Sequence, residues 1–135
     1  MSMNRYLLDT HCLLWFQENN KDIPNRVMDV LKSTENEVFF SQISLFEIAI
    51  KQKIGKLPDF KVSISEIYEQ AFSDLFTFLP ILNQHLFQYQ NIQLIESHRD
   101  PFDRLLIATA KEENLTIITA DEKFSNYKEL IEIYW

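Results

Sequence analysis

The chain has 135 residues, 46% of them hydrophobic, one glycine, one cysteine and a formal net charge of −7. That length predicts one domain, residues 1–135, large enough for a real core. The lone glycine, Gly55, excludes a phosphate-binding P-loop and a dinucleotide-binding glycine fingerprint, and the lone cysteine, Cys12, excludes an internal disulfide.

In chain order, a strand is predicted near residues 5–9, followed by helical segments near 11–18 and 24–33. A strand near 37–41 leads into a helix running from about Ser44 to Gly55, and another helix is expected near 65–76. A short strand near 78–81 precedes a helical stretch near 83–90. The next helix starts sharply, because Asp100 is a good N-cap and Pro101 suits the first helical position. The run Leu115-Thr116-Ile117-Ile118-Thr119-Ala120 is apolar and β-branched, as for a strand covered on both faces, and the tail from Leu130 to Trp135 suits a final edge strand. Strands alternating with helices imply a mainly parallel sheet in a three-layer α/β/α sandwich.

Four acids sit awkwardly in this pattern. Asp103 is the third residue of its helix and shares a face with Leu106, Ile107 and Ala110, so its carboxylate lies within the apolar stripe. Asp9 and Asp121 each follow a strand, at the carboxyl end where open parallel sheets bind ligands. Glu47 lies with Ser44 and Lys51 on a narrow polar stripe of a helix otherwise surrounded by Leu45, Phe46, Ile48, Ala49, Ile50 and Ile54. Each has a plainer role open to it: Asp103 near the positive end of a helix, Asp9 as an N-cap, Asp121 as a turn residue, and Glu47 as half of an i, i+4 pair with Lys51.

The segments Leu7-Leu8-Asp9-Thr10-His11-Cys12-Leu13-Leu14-Trp15, Ser41 through Lys51, His98 through Ala110, and Thr119-Ala120-Asp121-Glu122-Lys123-Phe124 occur in an order and spacing that resembles the PIN-domain family, and specifically its VapC-type toxins of bacterial toxin-antitoxin pairs. The resemblance implies a PIN-like α/β/α sandwich and makes Asp9, Glu47, Asp103 and Asp121 the acids that hold divalent metal, with Thr10 and Thr119 as neighbouring hydroxyls lining the site. Asp100 belongs to the same motif but is assigned to capping. Residues 56–93 match only loosely. The implied activity is a Mg²⁺- or Mn²⁺-dependent endoribonuclease using one or two ions; the alternative is a catalytically silent PIN-fold binding module. The resemblance also implies a cognate antitoxin protein that occludes the active site, and a homodimer.

The residue types suit that chemistry. Carboxylates are hard oxygen ligands for Mg²⁺ or Mn²⁺, and such ions activate water and offset charge in phosphodiester hydrolysis. A receiver-type phosphoacceptor would need a second acid beside Asp9, and a haloacid-dehalogenase phosphatase an Asp two residues on; Thr10 and His11 stand there instead. His11, His85 and His98 lack zinc-site spacing, and no G-x-S-x-G elbow exists. His98 is expected to pack beside its motif, and Cys12 to be a core residue in a reducing compartment.

A charge of −7 disfavours polyanion binding, but four acids neutralised by metal would leave −3. Lys51, Arg99 and Arg104 are the candidate phosphate contacts, whereas Lys53 and Lys56 read as solvated surface charges. The helices holding Trp15 and Phe46 are candidates for an apolar subunit interface. The start, Met1-Ser2-Met3-Asn4-Arg5, lacks a signal-type pattern, and no run approaches membrane-spanning length, so a soluble cytoplasmic protein is expected.

Overall fold

A computed structural model describes residues 4–135, so the reading of the first three residues lies outside the described region. Five strands form one sheet: β1 (Asn4–Leu8), β2 (Asn36–Ser41), β3 (Thr77–Leu79), β4 (Thr116–Ile118) and β5 (Ile133–Tyr134). Their order is β3-β2-β1-β4-β5, and every neighbouring pair is parallel. The helices are α1 (Thr10–Gln17), α2 (Asn25–Lys32), α3 (Gln42–Lys53), α4 (Ile64–Ser73), α5 (Asn83–Tyr89) and α6 (Pro101–Glu113), with a 3-10 helix at Glu122–Tyr127. No helix among the described residues is long and apolar enough to cross a membrane.

Side-chain alternation along the strands divides the core into two layers. Leu8, Val38, Phe40 and Ile118 point to one face and pack with Leu13, Val27, Ile67 and Ala71 of α1, α2 and α4. Leu7, Phe39 and Ile117 point to the other and pack with Leu106, Ile107 and Ala110 of α6 and with Phe124 and Tyr127 of the 3-10 helix. The register puts Leu7 opposite Phe39 and Ile117, and Leu8 opposite Ile118, so apolar residues meet across the central strands. Helices therefore cover both faces, as the alternation of strand and helix signals predicts.

The chain winds outward from β1 to β2 and β3, then crosses back to place β4 on the other side of β1. The strand order reverses between β1 and β4, and such a switch point opens a crevice at the carboxyl ends of the strands. Asp9 follows β1 there, and Thr119 to Asp121 follow β4.

The boundaries match the local signals except in a few places. The α4 helix stops at Ser73, not near 76, because Leu75 adopts a left-handed conformation (φ 67°) that returns Phe76 to the core. The 3-10 helix has no hydrophobic period in the sequence and follows from the Asp121 cap. The final strand is only Ile133–Tyr134, at the edge beside β4. The α6 helix ends at Asn114, whose φ of 58° is the left-handed form that asparagine tolerates better than most residues. Asn114→Ala is expected to cost about 1 kcal/mol, seen as a lower urea midpoint with an unchanged slope.

Candidate active site

Capping chemistry places three of the four acids. Asp9 is the N-cap of α1, and its Oδ1 accepts the Cys12 N–H at 2.7 Å. Asp100 caps α6, accepting the Phe102 N–H at 2.8 Å and the Asp103 N–H at 3.4 Å, which leaves the Asp103 carboxylate free for other partners. Asp121 caps the 3-10 helix, where its Oδ1 accepts the Lys123 N–H at 2.9 Å. The plain and the functional readings of Asp9 and Asp121 are therefore compatible: capping uses one carboxylate oxygen and fixes the direction of the other.

Thr119 ties the two strand ends together. Its hydroxyl donates to Asp9 Oδ2 and accepts the Asp121 N–H at 3.0 Å. Asp9 is 4% exposed, and burial raises its pKa, with the bonds from Thr119 and Cys12 opposing the shift. Thr10, at the start of α1, donates to Glu47 Oε1 at 2.6 Å and lies 3.0 Å from the Ser44 hydroxyl. Glu47 is 2% exposed, and its Oε2 accepts from Lys51 Nζ at 2.7 Å. Partial burial acts to lower the Lys51 pKa, but the bond and charge of Glu47, joined by the charges of Asp100 and Asp103, raise it overall. The i, i+4 pair thus exists, and it sits inside the site.

Asp103 is held by His98, whose Nε2 lies 2.9 Å from Asp103 Oδ2. The other ring nitrogen faces the Lys123 carbonyl at 3.1 Å, and a carbonyl can only accept, so Nδ1 carries a hydrogen. The ring is 2% exposed and stands edge-on to Phe124 at 5.1 Å. Beyond packing beside its motif, His98 bridges the first turn of α6 to the 3-10 helix that carries Asp121. Sequence reading misses this, because the Lys123 partner is 25 residues away. Burial, followed by the neighbouring Asp100 and Glu47 charges, pushes the Asp103 carboxyl up to about 6, with His98 opposing.

The four acids line one cleft of about 140 Å³, together with Thr10, His11, Lys51, His98, Arg99, Asp100, Lys123 and Phe124. Thr119 stands behind Asp9. Lys51 and Arg99 reach the cleft, the latter exposed and paired with Glu96. The Arg104 guanidinium instead binds the preceding loop: it donates to the Tyr89 hydroxyl at 2.9 Å, to the Arg99 carbonyl, and to the His98 carbonyl at 3.5 Å. Lys53 and Lys56 are exposed and outside the cleft, whereas Lys123, passed over by the sequence reading, lies within it.

The sequence picture of α3 needs one correction. A helix apolar around most of its circumference is expected to be mostly buried, yet Phe46 is 58% and Ile54 59% exposed while Ser44 and Glu47 are buried. The polar stripe faces inward, because α1 lies over it and supplies Thr10. Phe46 remains outside, edge-on to Phe102 of α6 at 5.9 Å.

Among the described residues, no three Asp, Glu, His or Cys side chains are gathered into a ready-made metal cage. The donor set still suits a hard divalent cation: four carboxylates face one cleft, two of them with raised pKa, and their mutual repulsion is relieved locally by Lys51 and His98.

No curated protein sequence matches this chain. Solved structures do. The DNA-bound VapBC of Salmonella typhimurium shares 18% identity at a TM-score of 0.67, covering 98% of each chain. FitAcB of Neisseria gonorrhoeae shares 20% identity at 0.62, covering 96% of each. VapBC-5 of Mycobacterium tuberculosis, from the VapBC family of toxin-antitoxin systems, shares 16% at 0.57, covering 96% of this chain and 95% of that one. At these identities the likeness establishes the fold alone. The PIN domain model matches residues 6–130, essentially the whole chain, and on that match, with the parallel sheet and the acid-lined cleft at its switch point, this protein belongs to the PIN-domain family.

Proposed function

We propose that this protein is a metal-dependent endoribonuclease acting as the toxin of a toxin-antitoxin pair. The observation that carries the reading is the meeting of Asp9, Glu47, Asp103 and Asp121, from four separate elements, around one cleft. These four would hold one or two Mg²⁺ or Mn²⁺ ions, which when bound supply an activated water and neutralise charge developing on the phosphate. Thr10 and Thr119 orient the carboxylates of Glu47 and Asp9. Lys51, Arg99 and Lys123 are the cations of the cleft available to an RNA phosphate. Arg104, committed to the loop, supports Arg99 from behind.

The toxin reading draws on the fold shared with structures of the VapBC family of toxin-antitoxin systems. A cognate antitoxin would cover the cleft, and the outward α3 face with Phe46 suits a second copy of this chain. The chain would act as a single domain in the cytoplasm.

The test is cleavage of total cellular RNA by partner-free protein in Mg²⁺ or Mn²⁺. Discrete new ends that vanish with EDTA are expected; no cleavage by protein shown to bind metal would favour a silent binding module. Metal binding has its own readout. At a concentration one hundred times its dissociation constant, the ion should stabilise the fold by about 2.7 kcal/mol, measured as a rise in unfolding midpoint. Carboxylates must be ionised to bind metal, so this gain should fade as pH drops through about 6, where Asp103 takes up its proton.

A further inference from the structure

A second cavity, of about 260 Å³, adjoins the acid cleft and shares Asp9, His11 and Asp121 with it. Its remaining wall is Cys12, Trp15 and Ala120. The two cavities differ in chemistry: the cleft is lined mainly by charged groups, whereas the second is walled by an indole, a thiol and a methyl group.

The α1 helix builds this wall. Asp9 caps it, and His11 and Trp15 are one turn apart on the same side. The residues between them, Cys12, Leu13 and Leu14, are buried, while His11 is exposed and Trp15 only half-buried. The Trp15 ring is braced edge-on by Trp135, with centroids 5.9 Å apart and planes at 61°. A braced indole half open to solvent, beside an exposed imidazole and within reach of the reacting groups, is a stacking surface.

We infer that this second cavity is a nucleobase subsite, in which Trp15 and His11 receive an unstacked base of the nucleotide next to the scissile phosphate. The inference rests on the nuclease reading and adds to it the side chains that would receive a base free to leave the stack. The linings explain the division of labour. Lys51, Arg99 and Lys123 line the cleft and not the second cavity, so the phosphate lies at the cleft while the uncharged heterocycle enters the aromatic side.

Two tryptophans give two indole N–H resonances, which Trp15→Phe assigns. Nucleoside 5′-monophosphates titrated into the protein in EDTA should shift the Trp15 resonance, and ribose 5-phosphate should not. Trp15→Leu should weaken nucleotide binding and raise KM for RNA by roughly tenfold at little changed kcat, while Trp15→Phe retains most of both. The inference is overturned if ribose 5-phosphate acts as the nucleotides do, if no nucleotide moves the signal, or if folded Trp15→Leu cleaves with the parental KM. It is equally overturned if only a bound protein partner perturbs Trp15. Should Trp15→Leu fail to fold, the titrations of the parent and of Trp15→Phe decide. A parent that cuts no RNA but responds to nucleotides retains the base subsite and loses the nuclease reading.

Discussion

Asp103→Asn is expected to lower RNA cleavage by about 10³-fold or more while making the metal-free protein more stable at neutral and alkaline pH. The loss of rate reflects the several kcal/mol of transition-state charge stabilisation that a correctly held divalent ion supplies. The gain in stability comes from the raised pKa. In the folded protein the Asp103 carboxyl titrates at about 6, against an ordinary value of 3.8. Between those values the folded state binds more protons than the unfolded state, so stability falls as pH rises through that window. Ionised Asp103 is thus a destabilising charge above about pH 6, by at most about 2–3 kcal/mol for a shift of this size. Asparagine keeps the shape and removes the charge. Urea unfolding in EDTA at pH 8 should show the variant more stable than the parent, with the difference gone near pH 4. Equal stability at both pH values would mean that the site stores no electrostatic strain.

His98→Ala is expected to cost about 3 kcal/mol and to reduce cleavage as well. The substitution empties a fully enclosed position beside Phe124 and Tyr127 and strands the Lys123 carbonyl, so a cavity cost adds to that of a lost buried hydrogen bond. Asparagine places an amide where Nδ1 stands and should recover part of the stability through Lys123. Glutamine reaches further and should recover part of the activity through Asp103. If both variants restored both properties equally, His98 would be filling space rather than bridging α6 to the 3-10 helix.

The cleft shows why an acid-lined site in so acidic a chain can fold before any cation arrives. Glu47 is buried with both oxygens satisfied, one by Thr10 and one by Lys51. Asp9 is buried with both satisfied by Cys12 and Thr119. Asp103 has only His98, and burial pushes its carboxyl up to about 6. Hydrogen bonding within the protein thus offsets the charge of Glu47 and Asp9 and leaves Asp103 with the fewest partners of the three.

Local chemistry made much of this protein legible in its sequence. Asp100 followed by Pro101 announces the start of α6, the β-branched run ending at Ile118 announces a strand covered on both faces, and Asp9 directly follows β1 while Asp121 stands three residues past β4. Such signals are local because they depend on backbone geometry within a few residues, and they suffice to predict the parallel sheet and the positions of the acids on it. Tertiary structure decided what those signals leave open. Hydrophobicity counts made α3 a mostly buried helix, but burial depends on what lies opposite, and α1 covers Ser44 and Glu47 while leaving Phe46 and Ile54 in solvent. Arg104 reads as a free cation near the acids, yet the loop from Tyr89 to Arg99 offers it a hydroxyl and carbonyls at closer reach. The bond from Thr119 to Asp9 joins residues 110 apart, and the His98 bridge joins residues 25 apart. Contacts of that range carry no periodicity in a single sequence; they exist only once the sheet has set β1 beside β4 and brought the strand ends together.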